Sequence, residues 1–299
     1  MNSRRGFLRD LAAQAGSAAR EAAARSDLAT AAAQVGSAAR EATSEPSAPE
    51  ALALSDAELE RYGRQLALPE WGLAQQAAVR EARVLVVGAG ALGSPVALYL
   101  AGAGVGRLGI LDDDAVELSN LHRQLLHFTP DVGVPKAESA AAKLRFLNPD
   151  IVIEPYRVRL VADNAAALVE GQDLVVDCSD SFATRYAVNA ACCGARVPLV
   201  EGGVTGFAGL VMAVRPGETA CYRCAFPAAP AAAPSCAEAG VLGPAAGVVG
   251  SLQALEALRL LGGLEDGLLG GFLQIDLLEP AFTRVRAIRR ADCPDCGAL

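Results

Sequence analysis

From residue 83 onward, apolar positions come in two rhythms that take turns: short unbroken runs, and longer segments with helical spacing. Arg83–Val87 reads RVLVV, a brief apolar run bounded by a turn, which predicts a fully buried parallel strand. Gly88-Ala89-Gly90-Ala91-Leu92-Gly93 follows, and then SPVALYLAGAG, apolar at helical spacing. The next strand is expected over 108–111, and a helix over 136–147 that stops at Asn148-Pro149. Further strands are expected at 151–156, 173–178, 197–201 and 206–214, with helices over 182–193 and 247–261. Two closing strands, 272–278 and 283–288, complete the pattern, the second alternating and so half exposed. Upstream, Ser55-Asp56-Ala57-Glu58 is a capping box that opens a helix carrying Arg61-Tyr62-Gly63-Arg64-Gln65-Leu66. Strands alternating with helices predict an α/β fold: a Rossmann-like, mostly parallel sheet with helices on both faces and an antiparallel extension.

Residues 1–50 break this pattern. They are rich in Ala, Ser, Arg and Glu, and AAQAGSAAREA at 12–22 returns as AAQVGSAAREA at 32–42. With so few large apolar residues this arm buries no core, and a frayed helix or disorder is expected. The chain therefore divides into a low-complexity arm, 1–50, and a folded domain, 51–299. The opening Ser3-Arg4-Arg5-Gly6-Phe7-Leu8-Arg9 resembles a twin-arginine export signal. Arg20, Glu21 and Arg25 stand where such a signal needs an apolar stretch, so a cytoplasmic protein is expected.

The charge balance sharpens the picture. At 52% hydrophobic and 20% charged, the 299 residues suffice for a sizeable core, and a net charge of −8 argues against nucleic acid as partner. No apolar run reaches membrane-spanning length. Within the first strand–turn–helix unit, Gly88 permits the tight turn, Gly90 lets the backbone approach a phosphate, and Gly93 lets helix and strand pack closely. Asp112-Asp113-Asp114 ends the second strand about twenty residues past the last glycine, where an acid can hold a ribose hydroxyl. Ser119-Asn120-Leu121-His122-Arg123-Gln124 and then Lys136 add polar and cationic groups of the kind a triphosphate needs. No GxxxxGK[ST] occurs, which excludes a P-loop. Asp180 follows the 173–178 strand, at the edge where such sheets bind ligands; it suits either a hard cation or the N-cap of the next helix. Eight cysteines include Cys221-Tyr222-Arg223-Cys224 and Cys293-Pro294-Asp295-Cys296, the ligand set of a closed, tetrahedral, structural Zn²⁺ site. Cys178, Cys192 and Cys193 read as small core residues, and Cys236 lies on a Pro/Ala-rich loop.

The run RVLVVGAGALGSPVALYLAGAGVGRLGILDDDAVELSNLHRQLLH, continued by DVGVPKAESAAAKLRFLNPD, closely resembles the MoeB/ThiF/HesA adenylyltransferases, bacterial relatives of the ubiquitin-activating enzymes. The resemblance extends over about residues 55 to 299. It implies ATP-dependent adenylation of the C-terminal glycine of a ubiquitin-like sulfur carrier ending in Gly-Gly, with a separate protein donating sulfur for molybdopterin, thiamine or a related pathway. It places Gly88, Gly90, Ala91, Gly93, Asp112, Asp114, Ser119, Asn120, Arg123, Gln124, Lys136, Asp180 and Ser181 around ATP, with Asp180 on Mg²⁺. It also implies a homodimer in which Arg64 reaches the phosphates of the partner subunit, and a Cys236 that in some family members bonds the carrier covalently. Ala91 departs from the family, which has glycine there. Rival readings are an NAD-dependent oxidoreductase, which leaves Arg123, Lys136 and Asp180 without a task, and a non-catalytic carrier-binding scaffold. Dehydration of a modified tRNA, also known in the family, sits poorly with the acidic balance.

Overall fold

The computed structural model describes residues 54–229, 240–264 and 267–299, all of which belong to one compact unit spanning Leu52–Leu299. The low-complexity arm and Cys236 lie outside the described residues. The element order is α1 (Asp56–Leu66), α2 (Leu73–Glu81), β1 (Arg83–Val87), α3 (Gly93–Ala103), β2 (Arg107–Leu111), α4 (Lys136–Leu147), β3 (Val152–Tyr156), α5 (Ala162–Val169), β4 (Leu174–Asp177), α6 (Phe182–Ala195), β5 (Leu199–Thr205), β6 (Ala208–Val214), α7 (Tyr222–Ala225), α8 (Gly243–Leu261), β7 (Gly271–Asp276) and β8 (Ala281–Arg286). The strands form one eight-stranded sheet in the order β3-β2-β1-β4-β5-β6-β7-β8. Pairing is parallel from β3 through β5 and antiparallel from β5 to β8.

Strand alternation splits the core in two. Val84 and Val86 join the cluster formed with α3, α4 and α8; Leu85 and Val87 join the one formed with α5, α6 and α7. Because both faces of β1 are covered, its sequence is a continuous apolar run and not an alternating one. Each of those side chains contributes about 1.5–3 kcal/mol by leaving water. Pro155 sits in β3, the sheet's edge strand, where its missing N–H breaks no ladder on the outer side.

The Ser55 capping box is present: Ser55 N–H donates to Glu58 Oε2 at 2.8 Å and Glu58 N–H to Ser55 Oγ at 3.3 Å. Several bounds differ from the pattern reading: β6 starts at 208 and not 206, β7 spans 271–276 and not 272–278, and β8 spans 281–286 and not 283–288. β5 starts two residues later and runs four further than 197–201, after Arg196 takes a left-handed φ of 57° to close α6. α8 begins at Gly243, because Pro244 is tolerated in a first turn. β8 is exposed along almost its whole length, not half exposed, as the last strand of the sheet. The short helices α2, α5 and α7 give no periodic signal long enough to announce themselves. Among the described residues no helix is long and apolar enough to cross a membrane.

Candidate active site

Along the carboxyl ends of β2, β1, β4 and β5 lies a cavity of about 630 Å³. Its wall includes Gly88, Gly90 and Ala91 from the turn after β1, Asp112, Asp113 and Asp114 after β2, and Ser179, Asp180 and Ser181 after β4. Arg123, Gln124, Lys136, Arg159 and Arg185 also line it. The volume falls in the range of small-molecule sites.

The glycine turn is shaped by contacts that admit no side chain at two positions. Gly88 has φ 96°, and its N–H donates to Leu111 O at 2.7 Å. A Cβ on Gly93 would overlap the Gly88 carbonyl, so helix α3 can approach β1 only with glycine there. Gly90 differs: a Cβ there would meet nothing nearer than Gln124 Nε2 at 3.7 Å, leaving the backbone open to the cavity. Ala91 leans on the core formed with α3 and α8 while lining the cavity, so its methyl has a packing partner.

Asp112 ties the β2 end to this turn. Its Oδ2 accepts from Ala89 N–H at 2.8 Å and its Oδ1 from Asp114 N–H at 2.9 Å. Burial pushes its carboxyl above the usual range, against the pull of the nearby Lys136 and the two amides. Each oxygen keeps a second lone pair. Lys136, the first residue of α4, is buried, with Nζ 2.9 Å from Asp114 Oδ2. Arg159, missed from sequence, pairs with Asp113 at 3.0 Å.

Ser119 and Asn120 stand outside the cavity wall and build the turn that delivers Arg123 and Gln124 to it. Asn120 is buried and its Oδ1 accepts from Glu117 N–H at 3.3 Å, while Ser119 O accepts from Arg123 Nη1 at 2.9 Å. Gln124 Oε1 is buried with no hydrogen bond, a polar atom left for a ligand. Asp180 is exposed on the cavity wall, and the N-cap of α6 is Ser181, not Asp180. Arg64 is exposed on α1 and outside the wall; the neighbouring Tyr62 is the buried anchor of that helix, its hydroxyl accepting from Asn148 Nδ2 at 2.9 Å.

His127 was not anticipated either. It is buried, with Nε2 2.8 Å from Ala89 O and Nδ1 2.8 Å from Ser139 Oγ, which in turn accepts from Lys143 Nζ at 2.8 Å. A carbonyl only accepts, so Nε2 carries the proton and Nδ1 accepts from the serine. Burial and the nearby lysines hold its pKa below the usual value, keeping the ring neutral. The ring thereby links the glycine turn to α4.

Away from the cavity, Cys221, Cys224, Cys293 and Cys296 are all buried, and their sulfurs lie within 4.8 Å of one another. The Sγ–Sγ distances are 3.9 Å for Cys221–Cys224, 3.6 Å for Cys221–Cys293 and 3.4 Å for Cys224–Cys296. Tetrahedral thiolates at about 2.3 Å from zinc stand about 3.8 Å apart, so the donor set and spacing fit that ion. Donors surround the sulfurs: Asn189 Nδ2 lies 3.5 Å from Cys221 Sγ and Arg290 N–H 3.3 Å from Cys224 Sγ. Arg223 and Asp295, one from each CxxC, pair at 2.7 Å and clasp the two segments together.

The family model described as "ThiF family" matches residues 62–297. The chain belongs to the ThiF family. It is 49% identical to a sulfur carrier protein adenylyltransferase of Thermus thermophilus, over 80% of this chain and 91% of that protein. It is 48% identical to the adenylyltransferase and sulfurtransferase MOCS3 of Sus scrofa, over 84% of this chain but 56% of that longer protein. Among solved structures, E. coli MccB superposes with a TM-score of 0.73 at 23% identity, covering 83% of this chain and 77% of that one, a likeness of fold. The MoeB/ThiF resemblance and the adenylyltransferase class drawn from the sequence thus hold, and the NAD-dependent reading is disfavoured.

Sequence alone did not single out Asp177, Arg185 and Glu201, which the fold groups at the edge of the cavity. Arg185 Nε stands 3.5 Å from Glu201 Oε1 behind the cavity. The available signal was Glu201 itself, a charged residue directly after the apolar stretch Val197-Pro198-Leu199-Val200 and before two glycines.

Proposed function

We propose that this chain activates a ubiquitin-like sulfur carrier by ATP-dependent adenylation of its C-terminal glycine. The observation that carries the reading is the gathering of the open glycine turn, Arg123, Lys136 and Asp180 on the wall of one cavity. A carboxylate is a poor acyl donor because its leaving group would be oxide. Its oxygen attacks the α-phosphorus, the bond to the bridging oxygen breaks, and pyrophosphate departs, leaving an acyl-adenylate whose AMP is readily displaced by sulfur. No general base is required, since the attacking carboxylate is ionised at neutral pH. Catalysis is then positioning and charge neutralisation.

In this reading Asp112 accepts from the ribose, while Arg123, Gln124 and Lys136 hold phosphate oxygens beside Gly88, Gly90 and Ala91. Asp114 sets Lys136 in place. Asp180, an exposed hard carboxylate on the cavity wall, would hold Mg²⁺, which supplies charge neutralisation at the phosphates when bound. Ser119 and Asn120 act through the turn they form. Arg64 comes from a second subunit of a homodimer, and the four cysteines hold a structural Zn²⁺. Sulfur arrives from a separate donor protein, in the cytoplasm, for molybdopterin, thiamine or a related pathway.

The test is to incubate the zinc-loaded protein with MgATP and ubiquitin-like carriers ending in Gly-Gly, and to weigh the carrier. A carrier heavier by one AMP, with release of pyrophosphate, is expected. Absence of both the adduct and carrier-dependent exchange of labelled pyrophosphate into ATP with every such carrier would overturn the reading.

A further inference from the structure

Arg185 is fixed at the cavity wall by an unusual set of neighbours. Asp177 on β4 and Glu201 on β5 are cross-strand partners, both fully buried. Arg185, on the first turns of α6, puts its side chain over them, with Nε 3.5 Å from Glu201 Oε1 and Nη2 donating to Ser179 O at 3.0 Å. Its side chain is 12% exposed, and that remainder lines the cavity beside Asp180 and Val204.

The sequence of β5 makes room for this. Glu201 and Gly203 share one face of the strand, and Gly202 faces the other. A Cβ on Gly203 would stand 2.7 Å from Arg185 Nη1, so the guanidinium lies directly on the glycine backbone. A Cβ on Gly202 would overlap the side chain of Gln253, which donates to Asp177 O at 2.8 Å from the opposite face. The two glycines thus admit one polar side chain from each side of the sheet at the cavity's edge.

Charge explains what such a placement does. The proposed reaction brings a carboxylate within about 3–3.5 Å of a phosphate, two anions that repel unless cations attend both. Lys136 and Arg123 serve the phosphates in that reading, and Arg185 emerges between β4 and β5, two or three strand positions away from the Asp112 end. Neighbouring strands are about 4.8 Å apart, so β2 and β5 differ by roughly 14 Å, enough for a nucleotide at one end and an incoming chain terminus at the other. We infer that Arg185 binds the C-terminal carboxylate of the acyl substrate, and that Glu201 and Asp177 act as its positioning residues.

The acids behind Arg185 fit this role in one protonation state. Both Glu201 oxygens and Asp177 Oδ2 are buried without a hydrogen-bond donor, which a proton held between the two carboxyls supplies. Burial, and then the neighbouring Asp177, push Glu201 well above the usual carboxylate range. With one proton in the pair, Arg185 balances a single charge and the cluster is neutral toward an arriving anion. With none, the cluster is net negative and repels it. The other titratable groups on Glu201's face are Cys192 and Tyr222, and Cys178 lies on the opposite face against Gln253; all three are held neutral by raised pKa values, and Gln253 does not titrate.

The inference rests on the proposed adenylation reading, and the experiment separates the two. Affinity of a ubiquitin-like carrier ending in Gly-Gly is measured by calorimetry with a non-hydrolysable ATP analogue bound, for the free carboxylate and for the same carrier with its terminus amidated. A charged hydrogen-bonded pair predicts that amidation weakens binding to the wild type by roughly tenfold to a hundredfold. In Arg185→Gln the amide and the acid should bind alike while ATP still binds, and the melting temperature should fall because buried Glu201 and Asp177 lose their cation. Arg185→Lys, which keeps the charge, should recover part of the carboxylate preference and of the stability. Equal penalties for amidation in wild type and Arg185→Gln overturn the inference while leaving adenylation intact. A wild type that exchanges pyrophosphate with no carrier overturns both. For the positioning role, Glu201→Gln should retain the carboxylate preference at alkaline pH, where the wild type loses it; identical pH profiles refute that part.

Discussion

Substituting Gly93 and Gly90 by alanine, each alone, separates packing from ligand approach within one turn. Gly93→Ala forces a methyl into the Gly88 carbonyl and is expected to cost about 1–3 kcal/mol of stability, read from denaturant midpoints. Gly90→Ala meets nothing closer than 3.7 Å, so the fold should hold while ATP binds roughly tenfold more weakly, as measured by calorimetry. Lys136→Ala should lower carrier-dependent pyrophosphate exchange by roughly a hundredfold to a thousandfold with a normal melting temperature. The glycines, Asp112 and Lys136 were legible because each stands at a fixed offset from a strand end. Arg185 was not, because a helical arginine in sequence looks like a solvated one until its Glu201 partner is known. The same pair sets a pH effect on stability. A carboxyl whose folded pKa is raised binds its proton more tightly when folded, so its contribution is full below about 4.5 and is lost as pH rises through the folded value. Glu201→Gln should therefore gain melting temperature over the wild type as pH increases, and an unchanging difference between the two would count against the buried proton.

At the scale of elements, the parallel half was readable and the rest only partly so. β1, α3 and α4 carry strong patterns: an unbroken apolar run, a glycine turn, a helix ended by Asn148-Pro149. The bounds of β5 escaped because Gly202 and Gly203 lack the branched side chains that mark a strand, and their reason for being glycine is the two side chains that cross there. β8 alternates in sequence yet is exposed on both faces, since alternation reports a covered face only where some element packs on the strand. The paired CxxC segments were legible from spacing alone, and the fold brings them together. Removing a bound metal with a chelator should lower the melting temperature and open the 290–299 tail to protease, with about one zinc per chain recovered by elemental analysis. Cys293→Ser should behave as the chelated protein does. Retention of full stability by either would make the cysteine cluster incidental.

For the molecule as a whole, the proposed homodimer would make one site from two chains. If Arg64 acts across a symmetric dimer, a mixture of Arg64→Ala and Lys136→Ala proteins should regain roughly a quarter of wild-type exchange, since half the dimers are mixed and each of those has one intact site. Two inactive variants that stay inactive together would confine the site to a single chain. The cysteine cluster has a second consequence at this scale. Cys221 and Cys293 stand 72 positions apart, with α7, α8, β7 and β8 between them. An ion that stays gripped while those elements melt would leave a closed ring instead of a free tail, which has far fewer conformations to search on the way back. Refolding from denaturant should then be faster when zinc is retained than when it must be recaptured, and the gain should vanish once either CxxC has lost its thiols.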